Sequence, residues 1–201
     1  GALGVPVYQR LGRLSQPKLP LEWSVGFADK AEDMIKEASR AVHDFGLKVI
    51  CLKGGHPEGV RTDLQNFEAV RKAMGPDVMI GVDPNEGWTV AESMAAIPTL
   101  KALDIGYLEQ PIQRRNHKGL AMIRAAAQGI PIMADESVFT LADAIALAEK
   151  AAVDVFCIKL YKMGGITQAR KIAAVAEAAD IQINAGAVCA FSQLEAAASG
   201  H

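Results

Sequence analysis

The chain has 201 residues, enough for one domain, and with half of them hydrophobic it can bury a core of its own. Its 21 basic residues against 23 acidic ones leave a formal charge of −2 and none of the basic excess that a phosphate backbone demands, which excludes nucleic acid as a partner. There is no run of roughly 18 apolar residues that would mark a membrane span and no signal-peptide pattern, so a cytoplasmic protein without a membrane partner is expected.

Residues 1–19 carry breakers in Leu11-Gly12-Arg13-Leu14-Ser15-Gln16-Pro17 and hold no sustained period, so they read as a helix-and-linker lead-in. From Leu21 a short apolar run followed by a helix-length amphipathic stretch recurs seven times, and residues 20–201 form the domain that this repeat builds. Strands are predicted near 21–26, 47–53, 78–83, 105–109, 131–134, 154–159 and 181–185. Helices are predicted near 29–45, 63–75, 90–103, 117–128, 140–151, 166–179 and 190–199. Thr89 with Glu92 and Thr140 with Asp143 have the spacing of helix-starting capping boxes. Cys51, Cys157 and Cys189 are odd in number and sit among apolar or small neighbours, which suits buried free thiols in a reducing compartment.

Alternating βα units imply a parallel sheet, and near-continuous apolar strands such as Val155-Phe156-Cys157-Ile158 imply burial on both faces. Candidate chemistry at the carboxyl ends of at least five successive strands favours a (β/α) TIM-type barrel over an open doubly wound sheet, because barrel strands open on one common mouth. Seven strands are one short of a closed ring, so the expected barrel is incomplete, lacks strand 8 and is part of a larger protein.

Asp83, Glu109 and Asp135 each end an apolar run, and their even spacing leaves room for one helix and two loops between neighbours. Parallel strands therefore deliver three carboxylates to one rim, where they repel unless a cation sits among them. An all-oxygen donor set suits one hard divalent ion, Mg²⁺, whereas zinc would prefer His or Cys. Lys53 and Lys159 close apolar runs at the ends of strands 2 and 6 and are expected to face each other across the mouth. Strand alternation puts Cys51 with Lys53, and Cys157 with Lys159, on the inner face and turns Leu52 and Ile158 outward. A small carboxylate substrate held by the ion could lose its α-proton to one lysine, and the metal would stabilise the resulting enediolate. A lysine acts as a base only when neutral, so its surroundings must lower its pKa.

The residues that carry this pattern are Lys53 in Cys-Leu-Lys, Asp83 and Asn85 in Val-Asp-Pro-Asn-Glu-Gly-Trp, Glu109 in Leu-Glu-Gln-Pro, Asp135 in Ala-Asp-Glu-Ser, and Lys159 in Ile-Lys-Leu-Tyr-Lys-Met-Gly-Gly. Together they resemble the barrel domain of the enolase superfamily, in its mandelate racemase and muconate lactonizing enzyme (muconate cycloisomerase) branch. The resemblance implies that Asp83, Glu109 and Asp135 hold Mg²⁺, and that Lys53 and Lys159 are acid–base catalysts of a cycloisomerase, racemase, epimerase or dehydratase. It also implies an α+β capping domain that residues 20–201 do not contain, with 1–19 as the lead-in from it. One departure stands out, because relatives carry Lys-x-Lys at the end of strand 2 and this chain has Cys51 in the first of those positions.

Asn85 and Glu136 flank the acids and are expected to support them or touch substrate, as is Gln110. Lys162 reads as a loop charge or a ligand to a substrate carboxylate. Gly54-Gly55-His56-Pro57-Glu58-Gly59 lacks the Gly-Lys-Ser/Thr ending of a phosphate loop and reads as a mobile loop at the mouth. Arg114, Arg115 and Lys118 read as solvated surface. A homo-oligomer is expected. Two other readings stay open at this stage: a Schiff-base aldolase built on Lys159, and a non-catalytic truncated barrel.

Overall fold

The strand-helix alternation of the sequence is the architecture observed. The structure is a computed structural model that describes residues 3–12, 16–186 and 193–200. Its elements are α1 (Tyr8–Leu11), β1 (Glu22–Val25), α2 (Ala31–Ser39), β2 (Val49–Lys53), α3 (Val60–Met74), β3 (Met79–Asp83), α4 (Val90–Ala102), β4 (Ile105–Glu109) and α5 (His117–Ala127). They continue with β5 (Ile132–Ala134), α6 (Leu141–Glu149), β6 (Val155–Ile158), α7 (Leu160–Met163), α8 (Ile166–Ala178), β7 (Gln182–Ala185) and α9 (Gln193–Gly200). All seven strands pair in parallel and in chain order. Both expected capping boxes form, at Thr89 with Glu92 and at Thr140 with Asp143.

Two features differ from the sequence reading. The end of α2 widens into a π-helical turn over Arg40–Asp44, and α7, a single turn, fills what reads as loop after strand 6. The predicted last helix began at 190, but 190–192 and Cys189 lie outside the described residues. No helix among the described residues is long and apolar enough to cross a membrane.

The sheet is curled. In a flat sheet β2 and β6 would stand about 19 Å apart at the usual strand spacing, yet Cys51 and Cys157 share one inner cluster with Tyr107, Met133 and Val155. Outward-facing Ile50, Leu52, Ile80, Val82, Leu108, Ile132, Phe156 and Ile158 pack under the helices in a separate, larger core. This two-layer alternation is the barrel arrangement, realised here as seven strands of a curled wall. Curling crowds the inner face. Tyr107 on β4 reaches across β3 and β2 to give its hydroxyl hydrogen to the Glu22 carboxylate on β1, and it fits only because β3 has Gly81 beneath the ring, where any Cβ would collide with it.

The amino ends of the strands are tied by polar anchors. Arg71 on α3 donates to the carbonyls of Gly75, Val78, Leu103 and Asp104, at 2.6 to 3.0 Å, and so joins the segments leading into β3 and β4. Asp154 accepts from the Ile132 amide at 2.9 Å and from Arg124 at 2.7 Å. The opposite rim is thereby left free to carry chemistry.

Gly81→Ala is expected to destabilise the protein by about 1–3 kcal/mol through overpacking against Tyr107, and Tyr107→Leu added to that variant should recover part of the loss. Urea denaturation of the three variants measures the coupling, and equal costs for Gly81→Ala with and without Tyr107 would refute the contact.

Candidate active site at the carboxyl-end rim

Lys53, Asp83 and Glu109 are the last residues of β2, β3 and β4, while Asp135 and Lys159 follow β5 and β6 by one residue. Parallel strands therefore carry all five to the same rim, and the ladder sets Lys53 directly beside Asp83. Lys53 is ion-paired with Asp83, and Lys159 with Asp135. Lys162, expected as a loop charge or substrate ligand, is brought in by α7: its side chain is 2% exposed, and its ammonium donates to the Asp135 carboxylate and, at 2.6 Å, to the Asp135 backbone carbonyl. That ammonium also lies 5.3 Å from the centre of the Phe139 ring.

Glu109 stands apart. It is 6% exposed, and its carboxylate accepts no hydrogen bond or ion pair among the described residues. Burial, and then the negative charges of Asp83 and Asp135, push its pKa up to about 8. Asp135 is held below its ordinary value: burial acts to raise it, but the Lys162 and Lys159 ammoniums outweigh burial. Burial by itself lowers both rim lysines, yet Asp83 beside Lys53, and Cys157 with Asp135 beside Lys159, hold both above their ordinary value.

The loops that support the rim are built from side chains. Asn85, at φ +47 in the turn after β3, donates its amide to Asp83 at 2.9 Å and its side chain to Glu136 at 3.1 Å, which joins the loops after β3 and β5. Gln110 is fully buried in a left-handed conformation at φ +29; its side-chain oxygen accepts from the amides of Asp135 at 3.1 Å and Ser137 at 3.0 Å, so it fixes the Asp135 backbone. Burial, and then the charge of Asp135, raise the Glu136 pKa.

Asp63 is a rim-supporting residue that the sequence reading missed, because helix 3 was expected to begin at residue 63 rather than at Val60. Fully buried, it accepts from the amides of Gly55 at 2.9 Å and His56 at 3.1 Å and from the Trp88 indole at 2.7 Å. The loop over 54–59, expected to be mobile, is thus pinned to the loop after β3. Gly55 is needed there, since a Cβ would strike the Pro84 carbonyl oxygen. The signal for Asp63 was an acid in the first turn of a helix behind a glycine-rich loop. Of the expected surface cluster, Arg114 makes a fork with Glu86, at 3.0 Å from its Nε, and so ties the loops after β3 and β4.

A parallel βα barrel wall with its polar cluster at the carboxyl ends of the strands defines the class of protein. The chain belongs to the Enolase C-terminal domain-like family, whose pattern matches residues 33–201. It is 35% identical over 187 residues to the chloromuconate cycloisomerase of Cupriavidus pinatubonensis, a match covering 90% of this chain and 48% of that protein. It superposes with a TM-score of 0.92 at 32% identity on the substrate-liganded L-Ala-D/L-Glu epimerase of Bacillus subtilis, over 99% of this chain and 55% of that one. It superposes with a TM-score of 0.83 at 31% identity on a Cytophaga hutchinsonii dipeptide epimerase complexed with Mg and D-Ala-L-Val, over 90% of this chain and 48% of that one. The chain thus spans about half the length of the relatives it matches.

The unpartnered Glu109 makes a stability prediction. The folded protein holds its proton to about pH 8, whereas an unfolded chain releases it near 4.5, so cation-free stability should fall as pH rises through that window, by at most about 1.4 kcal/mol per unit. Glu109→Gln should have a shallower slope, the remainder coming from other carboxyls raised by burial, Glu22, Asp83 and Glu136. Urea denaturation in chelator at pH values across the window measures both, and parallel pH dependences would show that Glu109 is not the titrating group.

Proposed function

We propose that this protein is a Mg²⁺-dependent isomerase or lyase that removes the proton α to the carboxylate of a small substrate, as a cycloisomerase, racemase, epimerase or dehydratase does. The observation that carries the proposal is the sharing of charge at the rim. Two lysines on strands that flank the three acid-bearing strands each pair with an outer acid, and the middle acid, Glu109, is left buried without a partner. Such a carboxyl is costly in its charged form, and a cation at the rim would offset that cost. The rim donors Asp83, Glu109 and Asp135 offer carboxylate oxygens, the donor type a hard divalent ion takes, and Glu109 has an oxygen within 4.8 Å of one from each outer acid. The Mg reported with the Cytophaga hutchinsonii epimerase supports the choice of ion. When bound, Mg²⁺ supplies fixed positive charge against which the substrate carboxylate is held as negative charge grows on it.

The work of the chain's own groups follows from their positions. Lys53 and Lys159 approach the substrate carbon from the β2 and β6 sides, one taking the proton and the other returning it or steadying the developing charge. Once Asp83 and Asp135 are engaged elsewhere, the influence that holds the lysines charged weakens, and burial favours their neutral, basic form. Lys162 stays clamped to the Asp135 backbone and keeps that acid in place. Gln110 and Asn85 do the same for the Asp135 and Asp83 loops.

Lys53→Ala and Lys159→Ala should each lower turnover by roughly 10²–10⁴-fold and should abolish solvent-deuterium incorporation on opposite faces of the substrate α-carbon. The assay is proton exchange by NMR with dipeptides and muconate as trial substrates. Equal residual exchange on both faces in both variants would contradict the two-base arrangement. Asp135→Asn should leave the fold intact and weaken Mg²⁺ binding in calorimetry; unaltered affinity would sink the metal assignment.

A further inference from the structure

Two sulfur atoms lie one layer beneath the rim, and the chemistry proposed above uses neither. Cys51 precedes Lys53 on the inner face of β2, and Cys157 precedes Lys159 on the inner face of β6; both are reduced, with exposures of 1% and 2%. The Cys51 sulfur and one carboxylate oxygen each from Asp83 and Glu109 lie within 4.8 Å of one another. Glu109, Asp135 and Cys157 satisfy the same limit, so Glu109 is common to both groups. Donors around a tetrahedral zinc stand about 3.5 Å apart, given bonds of about 2.3 Å to sulfur and 2.0 Å to oxygen, so either trio closes on an ion with small side-chain movements. The buried, unpartnered Glu109 carboxylate is aimed into this space.

We propose that Cys51, Asp83 and Glu109 form a second, sulfur-containing metal site that takes a thiophilic divalent cation, Zn²⁺ or Cd²⁺. The trio with Cys51 is favoured over the one with Cys157. Asp83 has one lysine to give up where Asp135 has two. Ligation forms one metal–sulfur bond and releases the Cys51 thiol proton to solvent. Sulfur selects the softer ion while the oxygen-only rim selects the harder one, and the two positions share Asp83 and Glu109, so one excludes the other. The sulfur site stands without the Mg²⁺ reading; only the exclusion rests on it.

The test uses the cation-free full chain carrying Cys189→Ser, so that Cys51 and Cys157 are its only thiols, titrated with Cd²⁺ and followed by the ultraviolet sulfur-to-cadmium charge-transfer band. One equivalent should raise the band. Adding Cys51→Ser should abolish it and weaken Cd²⁺ binding by more than about 100-fold, the upper range for losing a contact that merely supports a ligand, whereas adding Cys157→Ser should leave it. Circular dichroism establishes that each variant folds, and Cys51→Ala replaces Cys51→Ser if the latter does not. Cd²⁺ binding without the band, or a band that survives loss of Cys51, overturns the proposal. Mg²⁺ should displace Cd²⁺ competitively; if Mg²⁺ binds calorimetrically without displacing it, the shared acids are refuted. If Mg²⁺ does not bind at all while the band forms, the rim reading fails and the sulfur site stands.

Discussion

Mutual repulsion among Asp83, Glu109 and Asp135 is the constraint on which the rest of this structure depends. All three are buried at the ends of adjacent strands, where water cannot screen them. The chain answers with three ammoniums, but distributes them unevenly, one on Asp83 and two on Asp135. Glu109 sits between the other two and pairs with none, and its pKa is pushed up by burial first and then by the charges of Asp83 and Asp135. The single turn of α7 serves the same electrostatic end, since it turns the chain after β6 so that Lys162 reaches the Asp135 carbonyl and carboxylate together.

That cluster can be held only by a stiff frame, and the frame is divided by face. Outward residues such as Leu52, Val82, Leu108 and Phe156 pack under helices, and inward ones either reach the rim or fill the centre. Polar anchors at the amino ends of the strands, Arg71 and Asp154, stabilise without entering the mouth. Those at the carboxyl ends, Asp63, Gln110 and Asn85, join successive loops and set where the acids point. The charge geometry at the rim thus depends on hydrogen bonds made a loop away.

The strands and the rim acids were legible because both follow from period. An apolar run closing on a carboxylate recurs at even spacing, and period-two alternation decides which side chain faces in. Three things were not legible. Asp63 was hidden because helix 3 begins at Val60, three residues before the expected start, and the loop it pins then read as mobile. Lys162 was read as a loop charge, a substrate ligand or a support for the acids, and its pairing with Asp135 could not be chosen among these because a four-residue helix has too few residues to show a period. The overlap of Tyr107 with Gly81 is a contact between strands, and only the curl of the sheet brings the ring over that glycine.

The ion pairs that settle the cation-free rim work against the chemistry proposed for it. A lysine clasped by Asp83 or Asp135 is a poor base, and a carboxylate clasped by lysine is a poor ligand. In the chemistry proposed above, the arrival of a cation would remove both faults together, because the acids could turn to it only by releasing the lysines. The lysines are then left in a buried setting that disfavours their charge. Glu109 is the natural point of entry, since it alone has no ammonium to displace and only its proton to lose. On the proposed reading, the repulsion among the rim acids would also couple occupancy of the site to the readiness of its bases.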